Sequence, residues 1–332
     1  MIESAVFVLG AGASTPFGVP TLLRVFQDSF AKRQLQKDTF LHEKLSRLFW
    51  LPRGRTLETS HLSLSVEEIL TLVRDYEHQA YGAPSLLGQE AERFKRSLYV
   101  LIKKAVYDGK NTRSRSLNSI IEFARRNFRH VTWASFNWDC IFEASYYYSS
   151  GGHRFYRSNP QLVINLENWR NTSSNQVFLK LHGGVNWWYE GEAIHYLPFG
   201  SQPDLDNRWQ EYEENRAGGV PVILEPSYYK YEDPIYQYLK VQWQYFVNAL
   251  LAADVVVILG YSLPEADTEA RRVLSIGFQS NQRARFVVIN RSQWVCERYE
   301  RIFGTDRAVC IHNNVEDSTQ QLMDLILSDP HH

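Results

Sequence analysis

Five turns in the sequence contain glycine, small polar or ionisable residues, and each turn directly follows a short apolar run. Glycine lets the backbone N–H groups of a turn approach a phosphate, and the N-terminus of a following helix favours its negative charge. A histidine can exchange a proton with a hydroxyl group or water near neutral pH. These residue types suit the binding of a nucleotide and the breaking of a bond in it. They are Gly10, Ala11, Gly12, Ala13 and Ser14; Asn137 and Asp139; His182 and Gly183; Gly260 and Ser262; and Asn290.

The first turn is a weak signal by itself, because a tight strand-to-helix turn uses the same Gly-x-Gly pair. A dehydrogenase fingerprint would place a third glycine at the position of Thr15, and an acidic residue at the end of a second strand. Asp28 has the right spacing, but it lies in residues 22–30, which are predicted to be helical. The sequence therefore argues against an ordinary dehydrogenase.

The second and third turns each allow a structural interpretation beside the functional one. Asn137 and Asp139 are two residues apart in an extended segment and can point to the same side. The same pair could instead cap the helix that follows. His182 stands before two glycines, although a lone histidine is more often structural. The aromatic residues 187–189 just after it could line the site or simply pack in the core.

Six apolar runs predict the strands that position these turns. The runs are rich in β-branched residues and do not alternate, which is typical of parallel strands covered on both faces. Helix-period segments separate them, so we expect an α/β fold with a Rossmann-like, doubly wound parallel sheet of about six strands. The carboxyl ends of such strands share one crevice, where ligands bind. The runs are residues 5–9, 131–136, 177–181, 221–224, 255–259 and 286–289.

Apolar residues recur at helical spacing in much of the remaining chain. The interval between the first two strands is far longer than one crossover needs. We therefore predict a helical insertion at residues 36–114, packed on a core formed by residues 1–35 and 115–330. Within the insertion, Ser65 and Glu68 form a capping box before an apolar stripe. Residues 149–175 and 190–219 are predicted to be loop excursions. Further helices are predicted at residues 94–105, 117–128, 235–252, 268–278, 293–303 and 317–327.

The composition argues against several classes of protein. The 332 residues include 36 Lys+Arg and 37 Asp+Glu, a balance that excludes a chain-wide basic surface for nucleic acid but not a local patch. Three scattered cysteines cannot build a four-cysteine zinc site, and they predict neither a disulfide framework nor an oxidising compartment. No signal peptide or apolar stretch of about 20 residues is visible, so a soluble cytoplasmic protein without membrane contact is expected.

The order and content of the turns resemble the sirtuin superfamily of NAD-consuming proteins. The matching elements span residues 8–292, which is most of the chain. A closer resemblance is to the zinc-less sirtuin-like NAD hydrolases of prokaryotic anti-phage defence, which also share the acidic-hydrophobic segment at residues 65–70. The matching motifs are residues 10–14 followed by Gly18-Val19-Pro20, Asn137-x-Asp139, Leu181-His182-Gly183, residues 260–264, and Ile289-Asn290.

The resemblance implies that NAD is the substrate and that no metal is needed. It implies that residues 10–14, with Pro20 and Gly183 nearby, hold the pyrophosphate and adjoining groups. Asn137 would orient the ribose or the attacking water, Asp139 would hold the nicotinamide carboxamide, and His182 would act as the base. The adenosine end would contact Gly260, Ser262 and Asn290.

Departures from the protein-deacylating sirtuins favour hydrolysis of NAD over deacylation. No cysteine lies between Cys140 and Cys296, Pro20 is followed by Thr-Leu-Leu rather than Asp-Phe-Arg, and Phe136 replaces a glutamine. The prediction is an NAD glycohydrolase that releases nicotinamide and ADP-ribose as an anti-phage effector. The alternatives are a non-catalytic NAD- or ADP-ribose-binding subunit and, less favoured, a deacylase or ADP-ribosyltransferase. Because NAD depletion harms the host, we expect restraint by homo-oligomerisation or by a partner such as an ATPase or an Argonaute-like protein.

Overall fold

A six-stranded parallel β-sheet forms the centre of the structure, which is a computed structural model. It describes residues 2–48, 66, 68–70, 86–108, 115–149, 176–191, 193–197, 202–224, 234–304 and 307–328. The strand order is β3-β2-β1-β7-β8-β9. The strands are β1 (Ile2–Leu9), β2 (Phe128–Ser135), β3 (Gln176–Lys180), β7 (Val255–Leu259), β8 (Arg285–Ile289) and β9 (Ala308–Ile311).

The sheet is doubly wound about its central pair of strands. From β1 the chain proceeds to β2 and β3 on one side, and from β7 it proceeds to β8 and β9 on the other. Every residue of β7 is buried, and because successive side chains point to opposite faces, both faces of the sheet are covered there. The expected α/β, Rossmann-like fold is confirmed, and its topological switch point lies between β1 and β7.

The register of the strands aligns their carboxyl ends. Leu9 pairs with Ser135 on one side and with Leu259 on the other. Ser135 in turn pairs with Lys180, and Leu259 pairs with Ile289. The residues that follow these strands therefore begin at one common edge of the sheet.

Ten α-helices with described bounds connect the strands and cover the sheet in the part of the chain that the structure describes. The four later helices predicted at residues 235–252, 268–278, 293–303 and 317–327 are confirmed to within two residues at each end. The helices are α1 (Ser29–Lys37), α2 (Thr39–Leu48), α3 (Leu86–Val106), α4 (Arg115–Asn127), α5 (Ile141–Ser149), α6 (Gln202–Glu213), α7 (Pro234–Ala252), α8 (Thr268–Ser280), α9 (Gln293–Phe303) and α10 (Thr319–Leu327).

A second, antiparallel sheet corrects two of the expectations. It has the order β5-β4-β6, with β4 at Gly183–Glu190, β5 at Ala193–Tyr196 and β6 at Val220–Ile223. Residues 221–224 were expected in the parallel sheet, but they pair with β4 instead. Residues 190–219 were expected to be a loop, yet they contain β5 and α6. The sixth parallel strand is β9, which the sequence did not predict.

The predictions for residues 22–30 and for the helical insertion agree with the structure only in part. Residues 22–30 do not form one helix, because a 3-10 helix at Leu22–Gln27 precedes α1 and Asp28 caps α1 by accepting hydrogen bonds from two backbone N–H groups. Helices α2 and α3 lie in the segment predicted as an insertion, whose limits stay a prediction. Most of residues 65–76, and residues 150–175, lie outside the described residues. None of the helices described is long and apolar enough to cross a bilayer.

One disulfide corrects the expectation from the cysteine count. Cys296 on α9 is bonded to Cys310 on β9, while Cys140 is buried and unbonded. The bridge ties a helix to the outermost parallel strand. Because disulfides persist mainly in oxidising compartments, the cytoplasmic location stays a prediction.

Candidate functional site

A cavity of about 420 Å³ opens at the carboxyl ends of the parallel strands. This volume lies in the range of small-molecule sites, about 300–1,000 Å³. Nine of the thirteen site residues named from the sequence line it: Ala11, Gly12, Pro20, Asn137, Asp139, His182, Gly260, Ser262 and Asn290. The other four, which are not among the lining residues, are Gly10, Ala13, Ser14 and Gly183.

The glycines of the first turn are required by a close approach between two strand ends. A Cβ atom built on Gly10 would meet the Cα of Tyr261 at 2.3 Å, and one on Gly12 would meet the Cα of Gly260 at 2.8 Å. Gly260 itself has a φ of +63°, which favours glycine. The turns after β1 and β7 therefore interlock at the switch point, and this contact alone accounts for all three glycines.

Most backbone amides of the first turn, which was expected to hold the pyrophosphate, make hydrogen bonds within the protein. The N–H of Gly10 donates to Leu259 O, and that of Gly12 donates to Gly260 O. The N–H groups of Ala13 and Ser14 donate back to carbonyls within the turn, in a 3-10 helix of three residues. Four of the five amides are thus committed to the backbone, which leaves Ala11, a lining residue, as the remaining one. Residues 10–14 shape the cavity more than they offer it donors.

Asn137 connects the turn after β2 to the turn after β1. Its Nδ2 donates to Gly10 O at 2.9 Å and to Ser14 Oγ at 3.1 Å, and its own N–H donates to Ser135 Oγ. The residue is partly exposed and lines the cavity. Its side chain is therefore held in one position at the cavity wall before any ligand arrives.

Asp139 is buried and takes the helix-capping role that the sequence left open. Its Oδ1 accepts a hydrogen bond from Ile141 N, the first residue of α5, at 2.9 Å. Burial raises the pKa of its carboxyl to about 6, although the hydrogen bond from Ile141 and the charge of Lys180 oppose the rise. Asp139 also lines the cavity, so capping and ligand contact are compatible.

A fully buried lysine supports this part of the site. Lys180 ends β3, and its Nζ donates to Asp139 O and Glu143 Oε1, each at 2.6 Å, and to Asn186 Oδ1 at 3.2 Å. Burial lowers the pKa of Lys180, but Glu143 and the other acidic groups around the ammonium together outweigh burial, and the net pKa is raised. Lys180 was not named from the sequence, although a lysine inside an apolar strand was a usable signal.

His182 follows β3 and is buried against aromatic rings. Its Nε2 lies 3.2 Å from Oδ2 of Asp267, and the ring of Phe136 meets it edge-on with centroids 5.1 Å apart. Asp267 lies just before α8, also lines the cavity, and was not named from the sequence. The motif that contains Gly260 ends three residues before it, so the acidic residue was close enough to notice.

The far end of the cavity lies beyond β8 and β9. Asn290 accepts a hydrogen bond from Ser292 N at its Oδ1, which shapes the turn after β8, while Ser262 is exposed at the rim. Residues 313–315, after the unpredicted strand β9, also line this end. Residues 187–189 lie in β4 and are not among the lining residues; Trp188 packs on Trp209, which supports their interpretation as core.

The comparisons with known proteins concern the fold. No protein-family model matches the sequence, and no curated protein matches it. A solved Sir2 structure with a deacetylated p53 peptide and 3′-O-acetyl ADP-ribose is 11% identical, with a TM-score of 0.50 over 98% of this chain and 94% of that one. A Sir2–p53 peptide–NAD⁺ structure is 12% identical, with a TM-score of 0.49 over 99% and 95% of the two chains. The chain has a Sir2-like fold, and at these identities the likeness concerns the fold alone.

Within the described ranges, no group of three or more His, Cys, Asp or Glu side chains is arranged to hold a metal ion. An amide, a carboxylate and an imidazole, from Asn137, Asp139 and His182, line the cavity just beyond β2 and β3. Such a set can orient a hydroxyl group or water and remove a proton from it.

Proposed function

We propose that the cavity binds NAD and that the protein hydrolyses the bond between nicotinamide and ribose. One observation supports this proposal above the others. The residues named from the sirtuin resemblance come from separate strand ends, and nine of the thirteen line one cavity at the switch point of a Sir2-like sheet. That is where an open α/β sheet binds its ligand.

The proposed reaction converts NAD and water into nicotinamide, ADP-ribose and a proton. The bond between the ribose anomeric carbon and the pyridinium nitrogen breaks, and its electron pair neutralises the positive charge of the ring. The oxygen of water forms the new bond to the anomeric carbon. We assign to His182 the acceptance of the proton that this water loses, and to Asn137 the orientation of the water or of the ribose hydroxyl groups.

Asp139 is proposed to accept a hydrogen bond from the nicotinamide carboxamide. A carboxyl with a pKa of about 6 is largely ionised at neutral pH and can act only as an acceptor. Its backbone carbonyl is held by Lys180 and its Oδ1 by Ile141 N, so its position does not depend on the ligand. We propose that Gly260, Ser262 and Asn290 contact the adenosine end.

We further propose that this activity serves anti-phage defence by depleting NAD in the cytoplasm. The support is the sequence resemblance together with a general argument, because unrestrained NAD hydrolysis would harm the cell that makes the enzyme. The proposal therefore includes an inactive state, maintained by homo-oligomerisation or by a partner such as an ATPase or an Argonaute-like protein.

The test is incubation of the purified protein with NAD, alone and with the products of neighbouring genes, and chromatographic detection of nicotinamide and ADP-ribose. His182→Ala is expected to lower turnover about 10²–10⁴-fold by removing proton transfer. Asn137→Ala is expected to lower it as well. The matched control is His195→Ala, because His195 is an exposed histidine of β5 and is not among the lining residues. Full turnover by both site variants would contradict the assignment, and ADP-ribose binding without nicotinamide release would favour a non-catalytic subunit.

Deacylation is the second candidate, because the Sir2 structure with a TM-score of 0.50 holds a deacetylated peptide and an acetylated ADP-ribose. The same cavity has apolar lining at Val106 and Trp138, which an acyl chain could contact. Incubation with NAD and acetyl-lysine peptides separates the candidates. O-acetyl-ADP-ribose, detected by mass spectrometry, would support deacylation. Free ADP-ribose at the same rate with and without peptide would support hydrolysis.

A further inference from the structure

We propose that Asp267 is a positioning residue that sets the ring orientation and the proton location of His182. Asp267 Oδ2 lies 3.2 Å from His182 Nε2, and both side chains are almost completely buried. Asp267 belongs to the turn between β7 and α8, whereas His182 follows β3, so only the folded sheet brings them together. The kinetic part of this inference rests on the proposed function; the structural part does not.

The carboxylate of Asp267 is held by donors from its own neighbourhood. Tyr261 donates its hydroxyl to Oδ2 at 2.6 Å, and Ala270 donates its backbone N–H to Oδ1 as Asp267 caps α8. Tyr261 is itself fixed, because its ring stacks on Phe136 at 4.2 Å with an interplanar angle of 6°, and its carbonyl accepts the hydroxyl of Tyr299. Asp267 is therefore a fixed acceptor and not a mobile counter-ion.

A fixed acceptor at Nε2 determines which nitrogen of a neutral imidazole bears the proton. An ionised carboxylate can only accept hydrogen bonds, so the Nε2 that faces it is the protonated nitrogen. The lone pair that takes a proton is then on Nδ1. The edge-on contact with Phe136 restricts rotation of the ring, so orientation and tautomer are set together. A base with the wrong tautomer keeps its position but cannot accept the proton.

The first test measures the tautomer directly. In protein labelled with ¹⁵N-histidine, long-range ¹H–¹⁵N correlation spectra at pH 8 report which nitrogen is protonated, and His182→Ala assigns the signals. We expect the Nε2–H form in the wild type. We expect Asp267→Asn to lose its predominance, because the amide Nδ2 of asparagine can donate to Nε2. The control is Glu269→Gln, a buried carboxylate two residues along that pairs with Arg272 instead. An unchanged tautomer in Asp267→Asn would overturn the inference.

The second test uses turnover of NAD. Asp267→Asn is expected to lower kcat about 100-fold or more, within the range of a proton-transfer contribution, with KM for NAD changed less than about threefold. Thermal melting checks that the variant folds, and Tyr261→Phe offers a milder perturbation that removes only the hydroxyl. An unchanged kcat in an active preparation would overturn the inference. A wild type that never releases nicotinamide would refute the proposed function alone, and the tautomer measurement would still decide the role of Asp267.

Discussion

Replacing Lys180 by methionine tests whether the buried ion pair supports the site. Methionine keeps most of the side-chain volume and removes the ammonium group. In the structure the Lys180 side chain is fully buried, and Glu143, its ion-pair partner at 2.6 Å, is 3% exposed. The substitution therefore leaves a buried carboxylate without its cation, and it removes the donor that holds Asp139 O.

The expected loss in the free energy of unfolding is about 3–5 kcal/mol, the usual cost of removing one partner from a buried pair. Removing both charges together should cost less, because an uncompensated buried charge is the main source of that loss. The double variant Lys180→Met, Glu143→Gln should therefore be more stable than Lys180→Met alone, with an interaction energy of about 1–3 kcal/mol.

Urea denaturation followed by tryptophan fluorescence measures these differences in the free energy of unfolding. Equal m-values for the variants and the wild type would show that unfolding exposes the same amount of surface in each. The control is Lys240→Met on the exposed side of α7, where a change within about 0.5 kcal/mol is expected. A loss below about 1 kcal/mol for Lys180→Met would refute the reasoning. A double variant no more stable than the single one would refute it equally.

Three further predictions follow from single contacts. Gly260→Ala should destabilise the fold by at least about 1–2 kcal/mol, because φ is +63° and the new Cβ would meet the neighbouring turn at 2.5 Å; a melting temperature equal to the wild type would contradict this. Titration of thiols in denaturant without reductant should find one thiol per chain, from Cys140, whereas three would disprove the Cys296–Cys310 bridge. The pKa of Asp139 is raised to about 6 in the folded state, so its contribution to stability is present below about pH 4 and is lost as pH rises through 6. Urea midpoints between pH 4 and 7 should therefore fall less steeply for Asp139→Asn than for the wild type, and parallel curves would contradict the assignment.

The strands that were correctly predicted are those whose burial can be inferred from their own residue types. The runs that became β1, β2, β3, β7 and β8 are apolar without alternation, and they need no knowledge of their neighbours. Residues 221–224 look the same, yet they pair with β4 in the antiparallel sheet, because an apolar run does not specify its partner. Strand β9 has only four residues, two of them partly exposed, and so it gave no comparable signal.

The residues of the candidate site likewise fall into those that local sequence identified and those that only tertiary contacts revealed. Turn residues such as Asn137, His182 and Asn290 were identifiable because parallel strands end at one edge of a sheet, so position along the chain predicts position in space. Lys180 and Asp267 were missed because their importance lies in contacts with other elements. Lys180 contacts residues of α5 and β4, and Asp267 lies beside a histidine 85 residues earlier in the chain.

By itself the sequence determined five of the parallel strands and the residues that stand at their ends, since both depend on local residue type. Only the tertiary structure decided what each of those residues contacts. Gly10 and Gly12 face the turn at Gly260, and four amides expected at a phosphate donate to the backbone instead. The physical reason is that a hydrogen bond or a close approach requires specific atoms within about 3 Å, and for these turns the atoms come from strands about 250 residues apart.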